Sequence, residues 1–156
     1  MKNFLIIFLI SMVPIIELRG AMLYAVGLDM QYVPALIVCV IGNLLPVPII
    51  YFFARKFLLW GAQQKYIGKF CHFFVEKGEH AGQKLVKAAG RKGLFLALLL
   101  FVGIPLPGTG AWTGTLGASF LDMGFKTTVL AVILGVILAG IIMGVGGEAV
   151  LHLFGM

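Results

Sequence analysis

The stretch from Gly93 to Leu121, GLFLALLLFVGIPLPGTGAWTGTLGASFL, decides the fold, because it carries no charge and has a break written into its middle. As one helix at about 1.5 Å per residue it would be about 43 Å long, against roughly 30 Å for the hydrocarbon core of a bilayer. Pro105 and Pro107 lack an N–H and restrict the residues before them, and Gly108 and Gly110 follow. The backbone from Ile104 to Gly110 is therefore expected to leave the helix. Lipid cannot satisfy the amides and carbonyls freed by such a break, so protein must shield it or it must line a wet cavity. Pro105, Pro107, Gly108, Thr109, Gly110, Trp112 and Thr113 become candidate binding residues on that ground. Glycine lets backbone amides approach a ligand, and a half-helix starting near Ala111 aims its positive end at the same point. Thr109 is placed to cap that helix and Thr113 to cap or bind, while packing is the simpler use for Trp112.

Working outward, the composition excludes a soluble domain. Of 156 residues, 61% are hydrophobic and 12% charged, with mean hydropathy +1.07, more apolar surface than one core of this size can hide. The chain reads as an all-α polytopic membrane protein. Two cysteines, Cys39 and Cys71, imply neither a disulfide framework nor a zinc site, and the sequence calls for no metal and no cofactor. The net charge of +6 does not point to nucleic acid, since nine of twelve basic residues lie between Arg55 and Lys92, beside apolar segments. Anionic lipids of the adjacent leaflet are the better partner for that linker. The N-terminal apolar run has no small-x-small cleavage site and is kept as mature chain.

Phe4 to Ile16 is too short to cross a bilayer, and Glu17, Leu18, Arg19 and Gly20 follow it. Read as one helix from Asn3 to Leu28, this region buries an acid and an arginine at mid-membrane. Read as two half-helices, it is a re-entrant hairpin with Glu17 and Arg19 at its tip, which the mid-segment position of the break favours. Pro34 to Ala54 spans comfortably, with distortion expected near Asn43, Pro46 and Pro48. In Arg55 to Lys92 the residues Tyr66, Ile67, Phe70, Phe73 and Phe74 recur at helical spacing, which predicts an amphipathic surface helix. Val129 to Gly147 is a second spanning helix, whose Gly135, Gly140, Gly144 and Gly147 would suit close packing or a homodimer seam.

Two halves echo one another. Ninety residues apart, Arg19, Gly20 and Ala21 fall on Thr109, Gly110 and Ala111, and slightly further on Leu28, Asp29 and Met30 fall on Leu121, Asp122 and Met123. The expected organisation is a single membrane domain, 1–156. Its first repeat is 1–54, a basic linker occupies 55–92, and the second repeat is 93–156. Each repeat is a broken hairpin plus one spanning helix, and hairpins that dip and return make the halves inverted. The positive-inside rule then places the linker in the cytoplasm. Interrupted segments at matching positions of two halves are a pointer to a transport site.

The residues IPLPGTGAWTGT at 104–115, PIIELRGA at 14–21 and IGNLLPVP at 41–48 closely resemble the bacterial small multidrug export family, and the likeness covers nearly the whole chain. That family is in turn remotely similar to the DedA superfamily, whose members have two re-entrant hairpins and are implicated in moving lipid carriers across bilayers. The resemblance implies a hairpin architecture and transport in the bacterial cytoplasmic membrane. By matching motifs, Glu17 looks like the embedded acid of the DedA first hairpin. The arginines of the DedA second hairpin have no counterpart between Ile104 and Leu121, where this chain has none.

Glu17 and Arg19 are the acid and base expected at membrane depth, where each costs at least about 2.5 kcal/mol to insert without a partner. Two uses stay open. In one, Arg19 binds an anionic head group and Glu17 exchanges a proton. In the other, the pair is a clamp, with Arg19 donating to the free carbonyls that precede Pro105 and Pro107. Asn43 in a spanning helix needs a hydrogen-bond partner and joins the candidate site. No GxSxG or HExxH motif is present, so the chain is read as a transporter or flippase for an amphipathic, anionic substrate rather than an enzyme. An intramembrane lipid-processing enzyme and a non-transporting scaffold are the alternatives.

Overall fold

Helices follow the apolar runs and stop where proline and glycine cluster. The computed structural model describes residues 2–14, 16–106 and 109–153; side chains at scattered linker positions, among them Phe70, Phe74 and Leu85, and from 147 onward lie outside that description. The described residues contain no strand. Among the described residues seven helices run in order: α1 Lys2–Met12, α2 Glu17–Gly27, α3 Tyr32–Leu44, α4 Val47–Ala62, α5 Gly68–Gly103, α6 Ala111–Phe120 and α7 Phe125–Leu153.

The break expected after Gly103 is present. Ile104 turns to an extended conformation with φ −80° and ψ 119°, and helix resumes only at Ala111. Pro107 and Gly108, both expected within the break, lie outside the described residues. The distortion expected near Asn43 is also present: α3 ends at Leu44, and α4 restarts with proline in its first turn, where a missing N–H is harmless. Together α3 and α4 form an apolar stretch from Tyr32 to Ala62, long enough to cross a membrane, as is Phe125–Gly146 of α7.

The first span corrects the sequence reading. Helix continues through Arg55 and Lys56 to Ala62 rather than ending at Ala54. Lysine and arginine are good helix formers with long stems, so charge alone does not end a helix. The amphipathic linker helix starts at Gly68, leaving Tyr66 and Ile67 in the preceding turn, with Tyr66 almost wholly exposed. That helix is one with the next apolar segment except at Gly90, whose φ of 69° and ψ of 175° bend the chain in a way only glycine adopts freely.

Two turns are built alike. After α2, the amide of Met30 bonds the carbonyl of Ala25 at 3.1 Å and that of Asp29 bonds Val26 at 3.0 Å. After α6, Met123 bonds Ala118 at 3.1 Å and Asp122 bonds Ser119 at 3.3 Å. Both are Schellman caps, and in both the left-handed position is an aspartate, Asp29 at φ 51° and Asp122 at φ 52°. Packing follows the same order on each side: α1 touches α2 and α3, and α2 touches α3, while α5 touches α6 and α7, and α6 touches α7.

The core lies where these groups meet and is made of small and branched side chains. Leu18, Ala21 and Met22 of α2, Val102 of α5, Ala111 of α6 and Val132 with Val136 of α7 are all buried. The outer faces are apolar too: Leu23, Val33, Ile49, Phe53 and Val145 each expose more than 60% of their surface. Water would not tolerate so continuous an apolar exterior, and lipid does. Gly135 packs on Val102, Gly140 on Leu36 and Gly144 on Tyr32, so these glycines seat helices of the same chain.

Candidate functional site

The site forms where the start of α2 meets the break between α5 and α6. Glu17 is the first residue of α2, and its backbone sits at φ 51°, a left-handed conformation uncommon for a residue with a side chain. Its carboxylate is directed inward and is 6% exposed. There Oε1 accepts the backbone N–H of Trp112 at 2.9 Å. Trp112 is the second residue of α6, so Glu17 caps that helix from across the molecule and lies at its positive end.

Gly110 makes this approach possible. A Cβ there would overlap a carboxylate oxygen of Glu17 and stand 2.6 Å from its Cδ. The cap expected from Thr109 is not formed, since α6 has no capping bond from its own flank. The Thr109 hydroxyl is instead turned back into the break, 2.9 Å from the carbonyl oxygens of both Ile104 and Leu106. At the start of α6, where an anion was expected to bind, stands the carboxylate of Glu17 from the same protein.

Arg19 holds the break itself. Its Nη2 donates to the Ile104 carbonyl at 3.1 Å, the Val102 carbonyl at 3.4 Å and the Thr109 hydroxyl at 2.9 Å, while Nη1 donates to the Leu106 carbonyl. Ile104 and Leu106 are the residues preceding Pro105 and Pro107, so the guanidinium gathers the carbonyls just ahead of the two prolines. A planar fork suits this task, since it reaches several acceptors without changing rotamer. Of the two uses open for Arg19, the geometry realises the clamp.

Asn43 joins the same place from α3. It is 2% exposed, its Oδ1 has no hydrogen-bond partner among the described residues, and with Glu17, Arg19, Gly110, Val136 and Ala139 it lines a cavity of about 10 Å³. That volume is on the order of one water molecule. Thr113 lies in the first turn of α6 with its hydroxyl 3.5 Å from the Gly110 carbonyl, and the indole N–H of Trp112 is buried without an acceptor among the described residues. Gly20 does not line the cavity, and a Cβ there would meet the side chain of Ile16 one turn back in the chain. Val136 and Ala139 of α7 were not foreseeable as site residues, because nothing but apolar spacing marks them.

A family model described as "Putative small multi-drug export protein" matches residues 17–142, which contain every group just described. The chain belongs to that family. No curated protein and no solved structure matches it. The small multidrug export match begins at Glu17 itself, so α1 stands outside the matched region while the clamp and both Schellman turns stand within it.

Proposed function

We propose that this small multidrug export protein is a proton-coupled exporter of amphipathic, anionic compounds in the bacterial cytoplasmic membrane, with Glu17 as the group that takes up and releases the proton. The observation that carries the reading is a buried carboxylate on strained backbone, fixed by one helix-end amide, at the contact of two broken helices. Strain of this kind persists only where the surroundings over-determine it, and it gathers at functional sites. Neutralising the carboxylate would weaken its attraction to the positive end of α6 and so loosen the contact between halves. A proton is thereby linked to the same joint that must open for a substrate to pass.

The architecture proposed with it has two inverted halves whose hairpins enter and leave on one side. Helices α1, α2 and α6 have 11, 11 and 10 residues, or about 15–17 Å, half the depth of the hydrocarbon core. The twin turns at Asp29 and Asp122 support the repeat. So does the bond between Arg19 and Thr109, positions that align with one another, since residues near a two-fold axis meet their own equivalents. Both serine hydroxyls donate to backbone carbonyls, Ser11 to Phe8 and Ser119 to Tyr51, which favours transport over serine-based hydrolysis.

The test is uptake into proteoliposomes under an imposed pH gradient. Wild-type protein should move a cell-permeant anionic dye faster with the gradient than without, and Glu17→Gln should lose that difference while keeping its fold by circular dichroism. Gradient-dependent transport by Glu17→Gln would remove the coupling role.

A further inference from the structure

Away from Glu17, two cavities open side by side near the bend at Gly90. The first, of about 660 Å³, lies between the linker part of α5 and the turn joining α6 to α7, with Gln83, Lys87, Arg91, Asp122 and Thr127 as its polar lining. The second, of about 300 Å³, is a groove between the apolar end of α5 and α6, floored by Gly93, Ala97, Gly114 and Gly117. Leu94, Leu121 and Met123 line both, so the two lie side by side.

The charges are arranged for an anion at the wide end. Asp122 is paired with Arg55, and neither Lys87 nor Arg91 forms an ion pair among the described residues. Two cations lining one cleft repel each other unless something negative lies between them. The narrow end suits a hydrocarbon chain. Beyond the bend, from Gly93 to Phe101, the groove follows nine residues of helix, about 12 Å, most of the depth of one leaflet. A Cβ built at Gly117 meets nothing within 4 Å, so the groove is open at that point.

We infer that this bipartite cleft binds a phosphate-headed membrane lipid from the leaflet on the linker side, its head between Lys87 and Arg91 and one chain along the groove toward Thr113 and the break. Basic pockets between helices at this depth recognise such head groups. The assignment rests on the export reading above, for which it supplies the substrate class and the entry point, and its occupancy can be measured without transport.

The experiment uses the full chain in phosphatidylcholine nanodiscs with a trace of phosphatidic acid carrying a photoreactive group in one acyl chain. Diacylglycerol with the same photoreactive chain is the control. Mapping of adducts should place phosphatidic acid on residues 93–101 and 113–118 with roughly thirtyfold preference over diacylglycerol, the scale expected of two surface cations. Lys87→Gln with Arg91→Gln should bring the two probes to equal yield, and Gly117→Leu should reduce adducts of both within the groove. Equal labelling by both probes in wild-type protein, or a preference that survives both variants, overturns the inference. Glu17→Gln should label as wild type, so a failed groove and a failed proton coupling are told apart.

Discussion

The carboxylate of Glu17 and the backbone N–H of Trp112 are 95 residues apart in the chain and 2.9 Å apart in the fold. That bond exists because residue 110 has no side chain. Gly110→Ala should therefore push the carboxylate off the helix end, lowering stability by about 1–3 kcal/mol, the usual cost of overpacking. Gly117→Ala in the same helix meets open space and should be neutral or stabilising by up to about 1 kcal/mol, from helix propensity alone. Thermal unfolding of the pair in one detergent checks both, and equal effects would mean that the contact with Glu17 is not what fixes residue 110 as glycine.

Arg19 gives a second contrast. Lysine keeps the charge but replaces a fork by a single ammonium, and it cannot reach the Val102, Ile104 and Leu106 carbonyls together with Thr109. Arg19→Lys should cost about 1–3 kcal/mol through the charge-assisted bonds it loses, the Ile104 and Leu106 carbonyls keeping the Thr109 hydroxyl and backbone amides as donors. It should also speed hydrogen exchange at the Leu106 and Thr109 amides, which bond within the break. Thr109→Val, which removes one hydroxyl and leaves the fork, should cost about 1 kcal/mol. Unchanged exchange in Arg19→Lys would show that the break holds its shape without the clamp.

Which parts of this were legible in the sequence follows from range. The break after Gly103 and the interruption at Leu45–Pro46 come from proline and glycine acting on their neighbours, so local chemistry foretold them. The carbonyls ahead of Pro105 and Pro107 were foreseeable as acceptors, and Arg19 as one of few donors, but two uses of that arginine fitted the sequence equally. That Glu17 rather than Thr109 caps α6 depends on two segments meeting in space, and no spacing encodes it. Gly90 lies among good helix formers, where a single glycine is ordinarily absorbed, so the bend that opens the basic cleft left no distinct mark. The twin LDM segments were visible as letters, and their shared left-handed aspartate was not.

Those aspartates can be separated by substitution. At φ near 50° glycine is the unstrained residue, so Asp29→Gly should be neutral or stabilising by up to about 1 kcal/mol. Asp122→Gly gains the same relief but loses its pair with Arg55, a partly exposed contact of about 0–1 kcal/mol. The first variant should thus melt at or above the second, while a β-branched Asp29→Val should melt well below both. The opposite order at Asp29 would mean that its carboxylate contributes more than the backbone does.

Asn43 is the position where stability and transport should part. Its Oδ1 is buried without a hydrogen-bond partner among the described residues, a condition that costs about 1–3 kcal/mol and that a leucine, branched at the same atom, would remove. An asparagine kept only to join helices would be bonded across the interface, and this oxygen is not. It faces the same small cavity as Glu17, where a polar atom can steady a proton or a single water beside the carboxylate. Asn43→Leu should accordingly raise the melting temperature or leave it unchanged while slowing gradient-driven dye movement in proteoliposomes. A variant that melts lower and transports normally would return Asn43 to the role of interhelical support and leave Glu17 alone at the joint.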